Sequence, residues 1–132
     1  MKNYRKALHL YNQTKIISAP LEEIMITFID KAISLIKLGR DAIDTKDLVV
    51  QNQSLQVAQE CVLQLITFVI IEEKQGEELI IIYDYLNRQL IKANLEGDQK
   101  ILDEVSNILL EQKDDWEIAM RSRRNKYRRN FI

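Results

Sequence analysis

Apolar residues recur along this chain at steps of three, four and seven, the spacing that lines up one side of an α-helix. Only a few positions interrupt the pattern. Ser18-Ala19-Pro20 followed by Leu21-Glu22-Glu23 reads as a helix start: a polar cap, proline near the first turn and acids just inside. Two apolar rows follow, Ile24, Phe28, Leu35, Leu38 and Ala42 on one and Met25, Ile29, Ala32, Ile36 and Ile43 on the other. They predict a first helix over 20–44. Asp44-Thr45-Lys46-Asp47 resets the chain, with Asp47 a suitable N-cap.

A second helix is predicted over 47–74. Its main row is Leu48, Leu55, Ala58, Val62, Leu65 and Val69, and a second row carries Val50, Val57, Cys61 and Phe68. Six of the seven residues from Leu65 to Ile71 also favour strands. The helical lead-in and the lack of turn residues decide for helix. Gly76 is a candidate left-handed cap closing this helix. A third helix over 77–95 carries Leu79, Ile82, Tyr83, Leu86, Leu90 and Ala93. It closes at Asn94-Leu95-Glu96-Gly97. Asp98 caps a fourth over 98–120, with Leu102, Val105, Leu109, Gln112, Trp116 and Met120. No later residue breaks it, so residues 121–132 can continue it.

Connections of about two to four residues force consecutive helices antiparallel. The expected fold is all-α: an antiparallel up-down-up-down four-helix bundle over 18–120, with an N-terminal capping segment at 1–17 and a basic tail at 121–132. Composition agrees. Among 132 residues, three Gly and one Pro cannot supply the turns of a sandwich or barrel.

Charge adds an asymmetry. Residues 121–132 carry six basic and no acidic side chains, so the overall −1 divides into +6 there and −7 in the remainder. An acidic body with a small basic end is not the footprint of a dedicated nucleic-acid domain. The polar N-terminus lacks a secretory signal, and no stretch of about 18 uncharged apolar residues could span a bilayer. A soluble, cytoplasmic protein is expected.

Candidate chemistry is sparse. His9 is the only histidine and lacks partners for a triad or a multi-histidine metal site. Cys61, the only cysteine, lies on an apolar row with no basic neighbour in sequence to activate it. The acidic pairs at 22–23, 72–73, 77–78 and 114–115 sit near helix ends, where capping and solvation explain them. No phosphate loop, dinucleotide fingerprint or nucleophile elbow is present. The expectation is a protein that is not an enzyme and needs no cofactor or metal. What stands out is surplus apolar surface. Ile66, Ile70 and Ile71 on helix 2, with Ile80, Ile81 and Tyr85 on helix 3, cannot all face one seam. Such surface is covered by the first 17 residues, through Leu8, Leu10, Tyr11 and Ile16, or marks a partner site. On pattern alone the chain is a helical interaction module.

The residues also carry a resemblance. Tyr83-Asp84-Tyr85-Leu86-Asn87-Arg88-Gln89-Leu90, then Ala93-Asn94 and Asp98, resembles the third-helix signature of the FliS family of flagellar export chaperones. Tyr11-Asn12-Gln13-Thr14 and Ser18-Ala19-Pro20 are similar to that family's N-terminal elements. Asp30-Lys31-Ala32-Ile33 resembles its first-helix element, with Ile29 and Lys31 where the family has Tyr and Gly. Gln75-Gly76 stands for its double glycine, and Asp115-Trp116 for its late Ala-Trp. The basic tail has no counterpart.

The resemblance implies a cytoplasmic chaperone that works without ATP. It would bind the C-terminal segment of flagellin, hold it monomeric and aid its delivery to the flagellar type III export apparatus. Export-gate components and a co-chaperone are further implied partners. No nucleic acid and no membrane insertion are expected. The resemblance also implies that the N-terminal segment lies over the client site, with Leu8 and Tyr11 its apolar contacts. On the bundle, Tyr83, Leu86 and Leu90 sit one turn apart and are expected in the core, as is Trp116; Asn94 is expected to cap its helix end. Ile81 and Tyr85 lie off that row, and Phe68 and Ile71 lie on the second row of helix 2. These four are the groove residues expected to bind client. Two alternatives stay open: a generic helical adaptor whose basic tail contacts acidic lipid or RNA, and a metal-dependent enzyme.

Overall fold

The structure is a computed structural model that describes residues 19–72 and 76–131. The N-terminal segment, with Leu8, His9 and Tyr11, lies outside the described residues. Four helices follow in order: α1 (Leu21–Asp44), α2 (Leu48–Glu72), α3 (Glu77–Glu96) and α4 (Gln99–Phe131). No strand occurs among the described residues. Each helix packs on its two neighbours, α1 on α2 and α4, and α3 on α2 and α4, while the diagonal pairs do not meet. The result is the four-sided antiparallel bundle that short connections require. The backbones of α1 and α2 approach over the greatest length and those of α3 and α4 over the least, with the bulky Tyr83 and Trp116 buried between the latter two.

The core is one contiguous cluster. Met25, Ile29 and Ala32 of α1 meet Leu55, Ala58, Val62, Leu65 and Val69 of α2, Tyr83, Leu86, Leu90 and Ala93 of α3, and Leu102, Val105 and Leu109 of α4, all wholly buried. Each such Leu or Ile contributes roughly 1.5–3 kcal/mol through removal from water. Polar cross-links fix the register of α4 on α1. Arg40 forms a bidentate pair with Asp103 (2.6 and 3.2 Å), Lys113 pairs with Asp30 (2.9 Å) and Arg123 with Glu22 (2.8 Å). As α1 runs down toward its start, α4 climbs alongside it.

The helix ends follow from local chemistry. Pro20 itself is the N-cap of α1, and its carbonyl accepts the N–H groups of Glu23 and Ile24. Asp47 Oδ1 accepts the Val50 N–H at 3.1 Å, and Asp98 Oδ1 those of Lys100 and Ile101 at 2.9 and 3.2 Å. Gly97 ends α3 in the left-handed conformation (φ 63°), with the Asp98 N–H returning to the Ala93 carbonyl. The same device ends α1, but there Lys46 takes the left-handed position (φ 57°) while Asp47 N–H returns to Ala42. Gly76 does not act as a left-handed cap. Its φ is −91° and it is the N-cap residue of α3, its carbonyl accepting the Ile80 N–H.

By length and composition α2 could cross a bilayer, with mean hydropathy 1.6 over 18 residues. Its apolar character has another use here, since α2 lies between α1 and α3 and buries two flanks. The basic tail does continue α4, which reaches Phe131 as an unbroken 33-residue helix.

Candidate docking surface

The α3 helix carries apolar side chains on its outer surface. On α3, Tyr83, Leu86 and Leu90 point inward, which turns Ile81 and Tyr85 outward. Ile81 is 68% exposed and Tyr85 43%. The Tyr85 hydroxyl reaches across the seam and donates to Glu104 Oε1 on α4 at 2.6 Å. That bond, then partial burial and the carboxylate's charge, raise the Tyr85 phenol above its ordinary pKa. Ile101 and Ile108 lie one turn to either side of Glu104 and are half-buried against the core, as is Ile82 of α3. Ile101 and Ile108 both fall on the apolar row that the sequence gives the fourth helix. The ring of Tyr85 is thus held in place with one face in water. A side chain ordered in advance loses less entropy when a partner covers it.

Of the other residues expected to bind a client, the structure divides the set. Phe68 is wholly buried and stacks on Phe28 of α1, ring centroids 5.4 Å apart at 29°, so it belongs to the core and not to a groove. The second apolar row of α2 is the α1-facing half of a wide stripe. Ile66 is likewise in the core, at 3% exposure. Ile71 is 39% exposed, but it sits one turn beyond Phe68 on the α1 side of α2, away from the Tyr85 flank. Ile70 is exposed beside it. Ile81 and Tyr85 are therefore the two brought together.

Asn94 does more than close a helix. Its side chain donates to Asn52 Oδ1 at 2.8 Å, and Gln51 Nε2 donates to both its carbonyl and its Oδ1. This clasp ties α3 to α2 beside a shallow recess lined by Leu48, Gln51, Asn52, Asn94 and Leu95. Trp116 is a core residue, its indole N–H donating to the Tyr83 hydroxyl. Cys61 is buried among apolar side chains, which pushes its thiol up to about 11 and leaves no thiolate for chemistry. Among the described residues no three His, Cys, Asp or Glu side chains converge as a metal site would need.

A helical bundle with exposed apolar side chains on one flank has the form of an interaction scaffold. Comparison with known proteins gives the particular kind. The family model described as "Flagellar protein FliS" matches residues 3–123, and the chain belongs to that family. It is 26% identical over 114 residues to the flagellar secretion chaperone FliS of Bacillus subtilis (strain 168), covering 86% of each chain. It is 26% identical over 107 residues to the flagellar secretion chaperone FliS of Salmonella typhimurium (strain LT2), covering 79% of each. This is a family of chaperones, not of enzymes.

Proposed function

We propose that this chain is a cytoplasmic chaperone for the C-terminal segment of flagellin, keeping it from polymerising prematurely and aiding its delivery to the flagellar type III export apparatus. The observation that carries the reading is the α3–α4 flank, where exposed Ile81 and Tyr85, one turn apart and the latter tethered to Glu104, present apolar surface. A client segment with one apolar stripe would lay that stripe along the flank as a helix, the helix-in-groove mode of recognition. Covering the stripe removes the surface through which clients would associate. Ordering a flexible client costs conformational entropy, so a large contact area must be buried in return. Export-gate components or a co-chaperone would meet the complex elsewhere on the bundle.

Calorimetry tests the reading. The titrant is the last 40 or so residues of the organism's own flagellin, about two passes along a bundle roughly 30 Å long at 1.5 Å per residue. Binding is expected, and Ile81→Asp should weaken it by about tenfold or more, since that side chain's burial is worth roughly 1.5–3 kcal/mol. Failure to bind, or undiminished affinity in Ile81→Asp and Tyr85→Ala alike, overturns the reading.

A further inference from the structure

Among the described residues, the end of α4 extends past the other helices. Arg123 pairs with Glu22 in the first turn of α1, and α1 begins at Leu21. Residues 124–131 therefore run past the start of α1, a projection of about 12 Å at 1.5 Å per residue. On α3, Tyr83 meets Gln112 and Trp116, and α3 begins only six residues earlier at Glu77, so the projection clears that helix too.

Along this end every residue from 121 to 129 is exposed. Arg121, Arg124 and Arg128 share one side of the helix; Lys126 and Arg129 lie on the other. None of these five is within ion-pair distance of a carboxylate among the described residues, because Arg123 alone takes up Glu22. Acids at this end of the body, such as Glu23, Glu77 and Glu78, sit in the first turns of α1 and α3. The projection exceeds the Debye length of about 8 Å at physiological salt, so its tip is screened from them. The acidic average of the whole chain hides this local field.

The distribution of charge selects the partner. An interfacial helix needs a broad apolar face to bury in lipid; here Met120, Tyr127 and Phe131 make one narrow strip by their spacing, and cations occupy the rest of the circumference. A flat anionic surface would meet only one side. A thin, flexible polyanion can wrap the helix and meet every cation. Four of the five are arginines, whose planar forks match phosphate oxygens two at a time. We propose that the projecting end of α4 binds single-stranded RNA through its phosphates, with Arg121, Arg124, Lys126, Arg128 and Arg129 as the contacting cations.

The test is fluorescence anisotropy of a labelled single-stranded RNA of about 20 nucleotides, longer than one such module occupies, titrated with the full chain across a range of NaCl. Five phosphate contacts predict that log K falls against log [NaCl] with a slope of about −3.5, at about 0.7 per contact. The triple variant Arg124→Gln/Arg128→Gln/Arg129→Gln should bind more weakly, with a slope of about −1.4. Its thermal melt should match the parent's, since these side chains are exposed. Absence of RNA binding at about 50 mM salt, or equal slopes for parent and triple variant, overturns the proposal. So does capture of the chain by phosphatidylserine vesicles under conditions where RNA does not bind.

Discussion

Trp116 donates its indole N–H to the Tyr83 hydroxyl at 2.8 Å, and that hydroxyl in turn donates a hydrogen bond to Gln112 Oε1, also at 2.8 Å. All three groups are buried between α3 and α4. The α3–α4 side of the bundle is thus joined from within by a polar chain centred on one oxygen. Tyr83→Phe keeps the ring and deletes that oxygen, leaving a buried donor and a buried acceptor without partners. The expected loss is about 1–3 kcal/mol. It should appear as a lower urea midpoint followed through the emission of Trp116, the only tryptophan. In Trp116→Phe the hydroxyl keeps Gln112, so Tyr83→Phe added to it should cost less than it does alone.

Stability should also fall on the alkaline side. Burial raises the Cys61 thiol from 9.0 to about 11 and the Tyr83 phenol from 10.0 to about 12. Both groups hold their protons longer folded than unfolded. Their contribution is complete below about pH 9, where both states are protonated. Above that the unfolded chain releases protons first, and the fold loses up to about 1.4 kcal/mol per pH step for each group. The thiol acts between about pH 9 and 11, and the phenol between about pH 10 and 12. Urea midpoints measured from pH 7 to 11 should be flat and then decline. Cys61→Ala should postpone the decline by about one pH step; an unchanged onset would mean that the thiol is not what titrates.

The four helices were legible because their ends are written locally. Asp47, Asp98, Gly97 and Pro20 are each placed where cap or turn chemistry acts over three or four residues, and the structure uses all four. How wide a stripe each helix buries was not legible. That depends on how neighbours are set around a helix, and on α2 the buried stripe widens to take in Phe68, stacked on Phe28 of α1, and Ile66. Phe68, expected in a groove, is in the core for that reason, whereas Ile81 and Tyr85 are exposed. Close approach of helices was also silent in the sequence. A Cβ on Gly39 of α1 would lie 2.6–2.7 Å from the buried Leu55 side chain of α2, so a side chain there would force these helices apart. The Asn52–Asn94–Gln51 clasp joins residues over forty positions apart, beyond the reach of periodicity.

The two left-handed helix ends offer a controlled comparison. Gly97 and Lys46 occupy the same position in the same motif, at φ 63° and 57°. A side chain there crowds the following carbonyl, which glycine avoids. Lys46 is exposed, so Lys46→Gly loses no packing. It should stabilise the protein by about 0.5–1 kcal/mol, after the greater freedom of glycine in the unfolded chain is subtracted. Gly97→Ala should cost a similar amount even though a Cβ there meets nothing within 4 Å, because the strain lies in the backbone. Thermal melts of the two variants should move in opposite directions; parallel shifts would show that loop packing, not backbone conformation, decides.

Glu22 and Arg123 join the base of the projecting end to the bundle, and they are unequally placed. The carboxylate side chain is 8% exposed and the guanidinium 58%, and Glu22 Oε2 is buried with no hydrogen-bond partner. The first-turn N–H groups of α1 favour an anion there, but among the described residues Arg123 alone supplies a full opposite charge within ion-pair distance. Arg123→Gln removes that charge and leaves a carboxylate desolvated. Complete burial would make the loss about 3–5 kcal/mol. With the arginine more than half in water, about 1–2 kcal/mol is expected. Glu22→Gln, which leaves no buried charge behind, should cost less. Adding it to Arg123→Gln should restore part of the loss, so the double variant melts above the arginine variant. Amide exchange should then rise in α4 from residue 120 onward in Arg123→Gln while the core of the bundle stays protected. A double variant no more stable than Arg123→Gln would mean that the arginine acts by packing its stem over Leu21 and Ile24 and not through its charge.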